Sequence, residues 1–314
     1  MHAIDAVISW VDGHDPIYQQ KLQAYCHELG IQKDDAVEPT RIQQSNEIYY
    51  CLHALQRFAP WLRTIYLMTN QQTPTCIDDL PFAHKIVLID QNELLNELNI
   101  TTPIFNSLSA EWLIWRIKGL SENFLYLNDD FFLIRAVKPE DFFHNGCSVL
   151  YGAWKKQSQS HWFKRKLQNN PHRAWQEKSA QRAGWDKQFF LLEHAPFALI
   201  KSTYEAFVAK NPDVLLQNCS RPFRHPEHLS SIPLMTHMDM KQKRSIDGLE
   251  ERAIMVNGAC HSFKKIKSRL DAAQKKQHIT FLCMQSLDQA PKETRDFMRQ
   301  WLDRMIFFNR GLYQ

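Results

Sequence analysis

The chain has 314 residues, of which 44% are hydrophobic, and its Lys and Arg residues outnumber Asp and Glu by 38 to 34. A chain of this length and composition can bury a full core, which implies no disorder and predicts one large domain or two modest ones. The charge excess is too small to indicate nucleic-acid binding by itself, and the chain contains no RNA-recognition, zinc-finger or helix-turn-helix pattern.

Cysteine usage and hydropathy bear on the cellular compartment. Seven cysteines are scattered without CxxC spacing, which favours reduced thiols in the cytosol over a disulfide framework. No run of about 18 apolar residues occurs, and Met1 leads almost directly into a strand-like segment instead of a signal peptide. We therefore expect a soluble cytoplasmic protein, or one bound peripherally to the inner face of the cell membrane.

The first predicted element is a short hydrophobic strand over residues 3–11. Gly13 and Pro16 mark a turn after it, and a helix-like segment follows the turn. A first strand that ends in the acidic residues Asp12 and Asp15 suits a nucleotide-binding α/β sheet. The same two residues could instead cap the following helix, since Asp is a favoured N-cap residue.

Residues 41–70 repeat this pattern with a helix followed by a strand. Apolar residues recur at helical spacing from Ile48 to Phe58, Pro60 ends the helix, and residues 65–68 are typical of a strand. The next predicted strand covers residues 85–90 and again has an acidic end. Strands alternating with helices predict an α/β fold with a Rossmann-like, mostly parallel sheet flanked by helices.

A further helix is predicted over residues 107–117. Asn106 or Ser107 could cap this helix, which would carry Glu111 among apolar residues. The periodicity does not separate a functional role from a solvated or structural one for Glu47, Asn106 or Glu111.

The most informative stretch is the apolar run of residues 124–133, which is interrupted only by Asn128, Asp129 and Asp130. This pattern predicts a buried strand whose end delivers polar side chains to the edge at which open α/β sheets bind their ligands. Two adjacent carboxylates repel each other and are costly to desolvate, so they favour holding a hard cation such as Mg²⁺. The alternative is an Asx-type turn after the strand.

Basic residues and tryptophans dominate residues 154–187, where nine Lys and Arg residues stand against only Glu177 and Asp186. Such a stretch can hold an anionic ligand and stack sugars or bases, or it can be a solvated face with tryptophans packed beneath it. Residues 241–276 are also Lys-rich and predict helix and solvated loop. The second half of the chain is therefore expected to be helical and basic.

Histidines occur near proline and arginine at residues 193–196 and 221–228, and again at residues 236–239. Their spacing fits neither HExxH nor the usual zinc clusters. It favours a phosphate clamp by arginine with histidine as the proton-transfer group, although a histidine beside proline is more often structural. The tail over residues 291–308 has the pattern of an amphipathic helix, which could pack on the core or lie on an anionic membrane surface.

Ordered blocks of residues across most of the chain carry a family resemblance. The first block comprises Ile4-Asp5-Ala6-Val7, Trp10-Val11-Asp12-Gly13 and Asp15-Pro16. The second comprises Arg41, Asn46-Glu47, Leu52, Ala59-Pro60-Trp61, Ile65, Pro103, Phe105-Asn106-Ser107, Glu111, Arg116-Ile117, Gly119-Leu120-Ser121 and residues 124–130. A third is echoed by His194-Ala195-Pro196 and Phe223-Arg224-His225, and a fourth survives partly in Phe281-Leu282-Cys283 and Leu287-Asp288. These blocks resemble the Stealth family, the sugar-1-phosphate transferases of bacterial capsule synthesis, which are akin to the catalytic region of lysosomal-enzyme N-acetylglucosamine-1-phosphotransferase.

The chain departs from the family pattern at two places. Leu52-His53 stands where the second block usually has Leu-Arg, and Gln285-Ser286 stands where the fourth block usually has Asn-Asp after the cysteine. If these positions contact the nucleotide or the metal, donor choice or affinity differs in this protein.

The resemblance implies transfer of N-acetylglucosamine 1-phosphate, or another hexose 1-phosphate, from a UDP-sugar to a sugar hydroxyl, with release of UMP. In this interpretation Asp12, Asp129 and Asp130 hold Mg²⁺ or Mn²⁺, and Arg224 stabilises the transferred phosphoryl group. His194 is the expected base for the acceptor hydroxyl, with an Asp of the central pair as its rival. The expected catalytic residues are Asp129, Asp130, His194 and Arg224, and the expected substrate-binding residues are Asp12, Asp15, Arg41, Glu47, Asn106, Ser107, Asn128 and His225.

We expect residues 1–150 to form the nucleotide-sugar-binding core and residues 151–190 to form a basic, Trp-rich insertion. Residues 191–314 would complete the active site of the same catalytic domain and supply C-terminal helices. The expected partners are a UDP-sugar donor and a glycan or glycolipid acceptor, without nucleic acid, and peripheral contact with the membrane or the capsule machinery remains open. Two alternative functions are a metal-dependent glycosyltransferase that releases UDP and a carbohydrate-binding subunit with a decayed site.

Overall fold

The computed structural model describes residues 3–32, 44–158, 171–248 and 251–308. The strands are β1 (Ile4–Ser9), β2 (Ile65–Thr69), β3 (Ile86–Asp90), β4 (Asn123–Asn128), β5 (Phe131–Leu133), β6 (Phe143–His144), β7 (Cys147–Leu150), β8 (Gly152–Lys156), β9 (Gln188–Leu192), β10 (Phe197–Ile200), β11 (Ser245–Asp247), β12 (Ala253–Asn257) and β13 (Phe281–Gln285). The α-helices are α1 (Pro16–Glu28), α2 (Glu47–Phe58), α3 (Gln91–Asn96), α4 (Ser107–Ala110), α5 (Pro171–Arg182), α6 (Lys201–Lys210), α7 (Pro212–Cys219), α8 (Ser231–Lys241), α9 (Phe263–Lys275) and α10 (Lys292–Asp303).

The central sheet has five strands in the order β10-β4-β1-β2-β3. Its first four strands along the chain are parallel, and β10 pairs antiparallel with β4. The register sets Ser9 of β1 opposite both Asn128 of β4 and Met68 of β2, so the carboxyl ends of these strands meet at one edge of the sheet. The predicted α/β fold with a mostly parallel sheet is confirmed.

Alternate residues of the central strands face two separate hydrophobic clusters. In β1, Ala6 and Ile8 belong to one cluster and Val7 to the other, because successive side chains of a strand point to opposite faces of the sheet. The first cluster includes side chains of α2, α9 and α10, and the second includes residues 112–117 and side chains of α6 and α8. Both faces of the sheet are therefore covered, as a parallel sheet requires.

A second sheet lies beside the first and has the order β12-β13-β5. Strand β5 pairs antiparallel with β13, and β13 pairs parallel with β12. Only Asp129 and Asp130 separate β4 of the central sheet from β5 of the second. Two smaller sheets have the orders β11-β7-β6 and β8-β9.

The prediction of one helix over residues 107–117 is wrong. The segment forms only α4 and a 3₁₀ turn at Ile114–Arg116. The Ser231 hydroxyl donates to the carbonyl of Glu111 at 3.0 Å, and the indole N–H of Trp112 donates to the carbonyl of Leu229 at 2.8 Å. Bonds to a distant segment therefore replace part of the helical pattern, and tertiary context overrides local propensity.

The prediction of helix and solvated loop for residues 241–276 was incomplete. Helix α9 lies in this region, but so do β11 and β12. Strand β12 depends on pairing with β13, which comes later in the chain and which periodicity did not identify as a strand.

The amphipathic helix predicted in the tail is confirmed as α10, and it packs on the core because Met298, Trp301 and Leu302 are buried. In the basic stretch, Lys155 and Lys156 are exposed and Trp175 is buried, whereas residues 159–170 lie outside the described residues. Within the described ranges, no helix combines the length and the apolar composition needed to cross a membrane.

Candidate active site

A cavity of about 910 Å³ lies at the edge of the central sheet where its parallel strands end. Eight of the predicted site residues line it: Glu47, Asn106, Ser107, Asn128, Asp129, Asp130, His194 and Arg224. Asp12, Asp15 and His225 are not part of the lining, and Arg41 lies outside the described residues. The structure therefore brings the acidic pair of the first half together with the predicted histidine and arginine of the second.

Asp129 and Asp130 form the turn between β4 and β5 and are only partly exposed. Asp129 Oδ2 accepts a hydrogen bond of 2.9 Å from the side-chain amide of Gln44, and burial raises the pKa of Asp129 to about 6. Asp130 Oδ2 accepts from the thiol of Cys283 at 3.6 Å, while its Oδ1 atom is buried without a hydrogen-bond partner among the described residues. Burial and the neighbouring charge of Asp129 hold the pKa of Asp130 well above its usual range.

Glu47 adds a third acidic group to this part of the cavity. It is the first residue of α2, and the backbone N–H of Ser45 donates to its carboxylate. Burial and then the charge of Asp129 raise the pKa of Glu47 to about 7. The three carboxyl groups oppose one another's ionisation, so a nearby positive charge would stabilise their ionised forms.

These residues fit a hard divalent cation, because carboxylate oxygens are its preferred ligands and Asp130 has a buried oxygen without a partner. Among the described residues, no group of three or more His, Cys, Asp or Glu side chains is placed to hold a metal ion. A cation bound by the acidic pair would therefore complete its shell with phosphate oxygens and water, as Mg²⁺ commonly does. Of the three predicted ligands, Asp129 and Asp130 line the cavity and Asp12 does not.

Asp12 and Asp15 make local contacts in the turn after β1. Asp12 Oδ1 accepts from the backbone N–H of His14 at 2.8 Å. Asp15 Oδ1 accepts from the backbone N–H of Tyr18 at 2.7 Å and caps α1. The capping interpretation is thus confirmed for Asp15.

Arg224 is an exposed side chain held in place by two neighbours. Its Nη2 atom donates to the Ser107 hydroxyl at 3.0 Å, and its guanidinium lies 5.3 Å from the ring centroid of Trp175. Asn106 caps α4 and also donates from its amide to the backbone carbonyls of residues 221–222 at 3.0 Å. Asn106 therefore ties the helix that carries Ser107 to the loop that carries Arg224.

His194 follows β9 and lies against two other rings. Its ring stacks on that of His172 with 4.7 Å between centroids and meets Phe131 edge-on at 6.0 Å. Burial lowers the pKa of His194, which favours the neutral imidazole that a proton acceptor needs. His225, in contrast, is exposed and accepts from the backbone N–H of Glu227 at 3.1 Å.

Two other histidines of the second half are structural. His228 is buried and accepts from the backbone N–H of His225 at 3.0 Å, and His237 is buried and accepts from the backbone N–H of Phe190 at 2.9 Å. The structural interpretation of histidine is confirmed at these positions.

The structure adds a residue whose role the sequence left open. Glu111 lines the cavity, is only 7% exposed and accepts from the Ser230 hydroxyl at 3.3 Å. Burial raises the pKa of Glu111 to about 8. A single acidic residue inside an apolar segment was the available signal, since such a residue is costly to bury without a function or a partner.

The two departures from the family pattern lie in different environments. Gln285 and Ser286 line the cavity, where they can contact a ligand. His53 instead packs against the rings of Tyr49 and Phe82 with centroid distances of 4.5 and 5.4 Å, and it is not part of the cavity lining.

Comparisons with known proteins identify the family. The model of Stealth protein CR2, conserved region 2, matches residues 41–149. The chain is 32% identical over 240 residues to an exopolysaccharide phosphotransferase of Streptomyces coelicolor, covering 72% of this chain and 38% of that relative. It is 38% identical over 153 residues to the capsular polysaccharide phosphotransferase LcbA of Neisseria meningitidis, covering 48% of this chain and 41% of that relative. It is 30% identical over 249 residues to the receptor polysaccharide phosphotransferase WefC of Streptococcus gordonii, covering 71% of this chain and 74% of that relative.

The matched regions span only 38% and 41% of the first two relatives but most of the third. The matching region model and the likeness to WefC agree with the blocks found in the sequence. The chain therefore belongs to the Stealth family.

Proposed function

We propose that this chain transfers a hexose 1-phosphate from a UDP-sugar, with UDP-N-acetylglucosamine as the donor, to a hydroxyl of a glycan acceptor. The product is a phosphodiester and the leaving group is UMP. The observation that carries the proposal is one cavity lined by Asp129, Asp130, His194 and Arg224 in a member of the Stealth family. These side chains supply the acidic, basic and cationic groups that phosphoryl transfer needs.

In the proposed reaction the acceptor oxygen attacks the β-phosphorus of the UDP-sugar and forms a new P–O bond. The bond from that phosphorus to the oxygen shared with the α-phosphorus breaks, and UMP leaves with this oxygen. The C1–O bond of the sugar stays intact, so the sugar arrives still carrying its phosphate. The hydroxyl proton passes to a base of the protein.

His194 is the proposed base. Because burial lowers its pKa, the ring is neutral at pH 7 and can accept the proton. The rate should therefore fall as the pH drops through the His194 pKa, which lies below its ordinary value of 6.5. A carboxylate of the acidic pair is the rival base.

Arg224 is the proposed donor to the transferred phosphoryl group. Ser107 and the Trp175 ring hold its guanidinium, so part of the ordering cost is already met before a ligand binds. A guanidinium can give two parallel hydrogen bonds to phosphate oxygens, which a lysine cannot.

Asp129 and Asp130 would hold Mg²⁺ or Mn²⁺, which would neutralise charge on the diphosphate. The raised pKa values of this pair are those of carboxyl groups without a cation, and a bound cation would lower them.

We further propose that the reaction serves capsule or surface polysaccharide synthesis, in the cytoplasm or at the inner face of the cell membrane. Support comes from the names of the relatives, which are capsular, exopolysaccharide and receptor polysaccharide phosphotransferases. The acceptor would be the growing glycan or its lipid-linked precursor.

The test is to incubate the purified protein with a panel of UDP-sugars, Mg²⁺ and glycan acceptors and to identify the released nucleotide. UMP supports transfer of the sugar phosphate. Release of UDP would instead show an ordinary glycosyltransferase, and no turnover with any donor would favour a carbohydrate-binding subunit.

Variants then test the assigned residues. Asp130→Asn, His194→Ala and Arg224→Ala should each lower turnover by at least about 100-fold without unfolding the protein. Asp213→Asn and His144→Ala are matched controls, because both side chains are exposed and neither lines the cavity. Full activity in any of the first three variants would remove that residue from the mechanism.

A further inference from the structure

A second cavity of about 380 Å³ lies next to the first. Four residues line both cavities: His172, Leu192, His194 and Met255. The proposed base therefore stands at the boundary between the two spaces. A ligand in the second cavity can present a group to His194 while the first cavity holds another molecule.

The second cavity combines a carboxylate with two cationic side chains. Glu193, Lys155 and Arg173 all belong to its lining. Oε2 of Glu193 is buried and has no hydrogen-bond partner in the described part of the chain. A buried acceptor without a partner is costly, and the hydroxyl of a bound sugar would supply the missing donor.

The pleat of β8 determines which of two adjacent lysines reaches this cavity. Ala153 and Lys155 line it, whereas Trp154 and Lys156 do not, because alternate side chains of a strand point to opposite faces. Lys155 forms no ion pair with another described residue. Its ammonium group is exposed beside the cavity and can bind an anion.

The guanidinium of Arg173 is positioned by packing. It lies 5.7 Å from the ring centroid of Phe189 and donates to the carbonyl of Lys156 at 3.5 Å. Arg173 and Lys155 are thus two cationic side chains in the lining of this cavity, beside the carboxyl group of Glu193.

We propose that the second cavity binds the acceptor glycan, with Glu193 accepting from a sugar hydroxyl and Lys155 and Arg173 binding an adjacent phosphodiester. This inference rests on the proposed function, whose product carries such a phosphodiester after every transfer. The terminal hydroxyl of the acceptor then lies near His194, and the linkage formed in the preceding round lies near the two cations. The donor diphosphate occupies the first cavity beside the acidic pair. The site thus recognises a chain that has already been extended by the same chemistry.

Binding of two small probes tests this assignment in the full chain with saturating UMP. One probe is the methyl phosphodiester of N-acetylglucosamine 1-phosphate, and the other is the neutral methyl N-acetylglucosaminide. Calorimetry or ligand-detected NMR gives the affinity of each probe for the wild type, Lys155→Glu and the matched control Lys156→Glu. Circular dichroism confirms that each variant is folded.

The wild type should bind the phosphodiester at least about 10-fold more tightly than the neutral probe, as expected for a charge-assisted contact. Lys155→Glu should weaken binding of the phosphodiester probe by at least about 10-fold and leave the affinity for the neutral probe unchanged. Lys156→Glu should alter neither affinity. Equal effects of the two lysine variants, or no preference for the charged probe, would overturn the inference.

UMP release measured on the same preparations separates this inference from the proposed function. If the wild type shows the lysine-dependent preference but releases no UMP, the inference of an anionic glycan site stands and the proposed reaction is wrong. If the wild type releases UMP but binds both probes equally, the proposed reaction stands and the inference of an acceptor site for phosphodiesters is wrong.

Discussion

Replacing Glu111 with Gln tests whether the cavity contains a carboxyl group that is neutral at physiological pH. Glu111 is 7% exposed, and its hydrogen bond from Ser230 does not offset the cost of burying its charge. Burial raises its pKa from an ordinary value of 4.5 to about 8. The native protein therefore holds a proton at this site that the unfolded chain has already released.

The sign and size of the effect follow from proton linkage. Between pH 4.5 and 8 the native state binds more protons at Glu111 than the unfolded state does, so the free energy of unfolding falls as the pH rises. Each pH unit inside this window costs up to about 1.4 kcal/mol. From pH 5 to pH 7, this residue alone should lower the free energy of unfolding of the wild type by about 2 to 3 kcal/mol.

Urea unfolding at pH 5, 6 and 7 measures the difference in free energy of unfolding between Glu111→Gln and the wild type. This difference should shift in favour of the variant by about 2 to 3 kcal/mol over these two pH units, because Gln cannot ionise. Asp129 and Glu47 also have raised pKa values, but they remain in both proteins and largely cancel in the comparison.

Glu140→Gln is the matched control, because the carboxyl group of Glu140 is exposed to solvent and lies outside the cavity lining. If the free energy of unfolding depends on pH in the same way in the wild type and in Glu111→Gln, the prediction is wrong. This result would mean that Glu111 is ionised in the native cavity and that water or a cation reaches it.

Three further predictions concern capping, a buried carboxylate and the cation. Asp15→Ala should lower the free energy of unfolding by about 1 kcal/mol in a denaturant titration, because the variant loses the α1 cap. It should leave UMP release unchanged. A fall in turnover would instead support the predicted substrate-binding role of Asp15. Asp5→Ala should lower the free energy of unfolding by about 2 to 3 kcal/mol in the same assay. The reason is that the fully buried Asp5 carboxylate accepts from the Arg63 guanidinium and from the backbone N–H of Ser121 at 2.8 Å. A loss below about 0.5 kcal/mol would contradict this reasoning. Mg²⁺ at about 100 times its Kd should add about 2.7 kcal/mol to the stability of the wild type and much less to Asp130→Asn, and equal gains would exclude Asp130 as a ligand.

The parallel core was predictable because local patterns and topology agree. Residues 65–68 and 85–90 are short apolar runs next to helix signals, and a parallel sheet is the economical way to bury them. The acidic pair was predictable as a site for the same reason, since it follows directly on a strand whose four central residues are apolar and buried. Its position could be inferred without knowing which side chains surround it.

The surroundings of the acidic pair depend on contacts that no local pattern contains. Gln44 reaches Asp129 from the segment before α2, and Cys283 reaches Asp130 from a strand of the second sheet. Sequence could not rank His194 above His225 by chemistry, since both lie close to a proline. The fold of the chain places His194 in the cavity lining and His225 outside it.

The acidic turn also connects the two halves of the chain. Asp129 and Asp130 join β4 to β5, so they form the turn between these strands and one edge of the cavity at the same time. The Asp130 carbonyl accepts from the backbone N–H of Met284 at 3.0 Å, and its carboxylate accepts from Cys283. Both partners come from β13, which residues 1–150 do not contain. A fragment limited to the predicted nucleotide-binding core would keep both aspartates and the Gln44 contact of Asp129. It would lose the strand that positions Asp130, and the orientation of the Asp130 carboxylate would be lost with it.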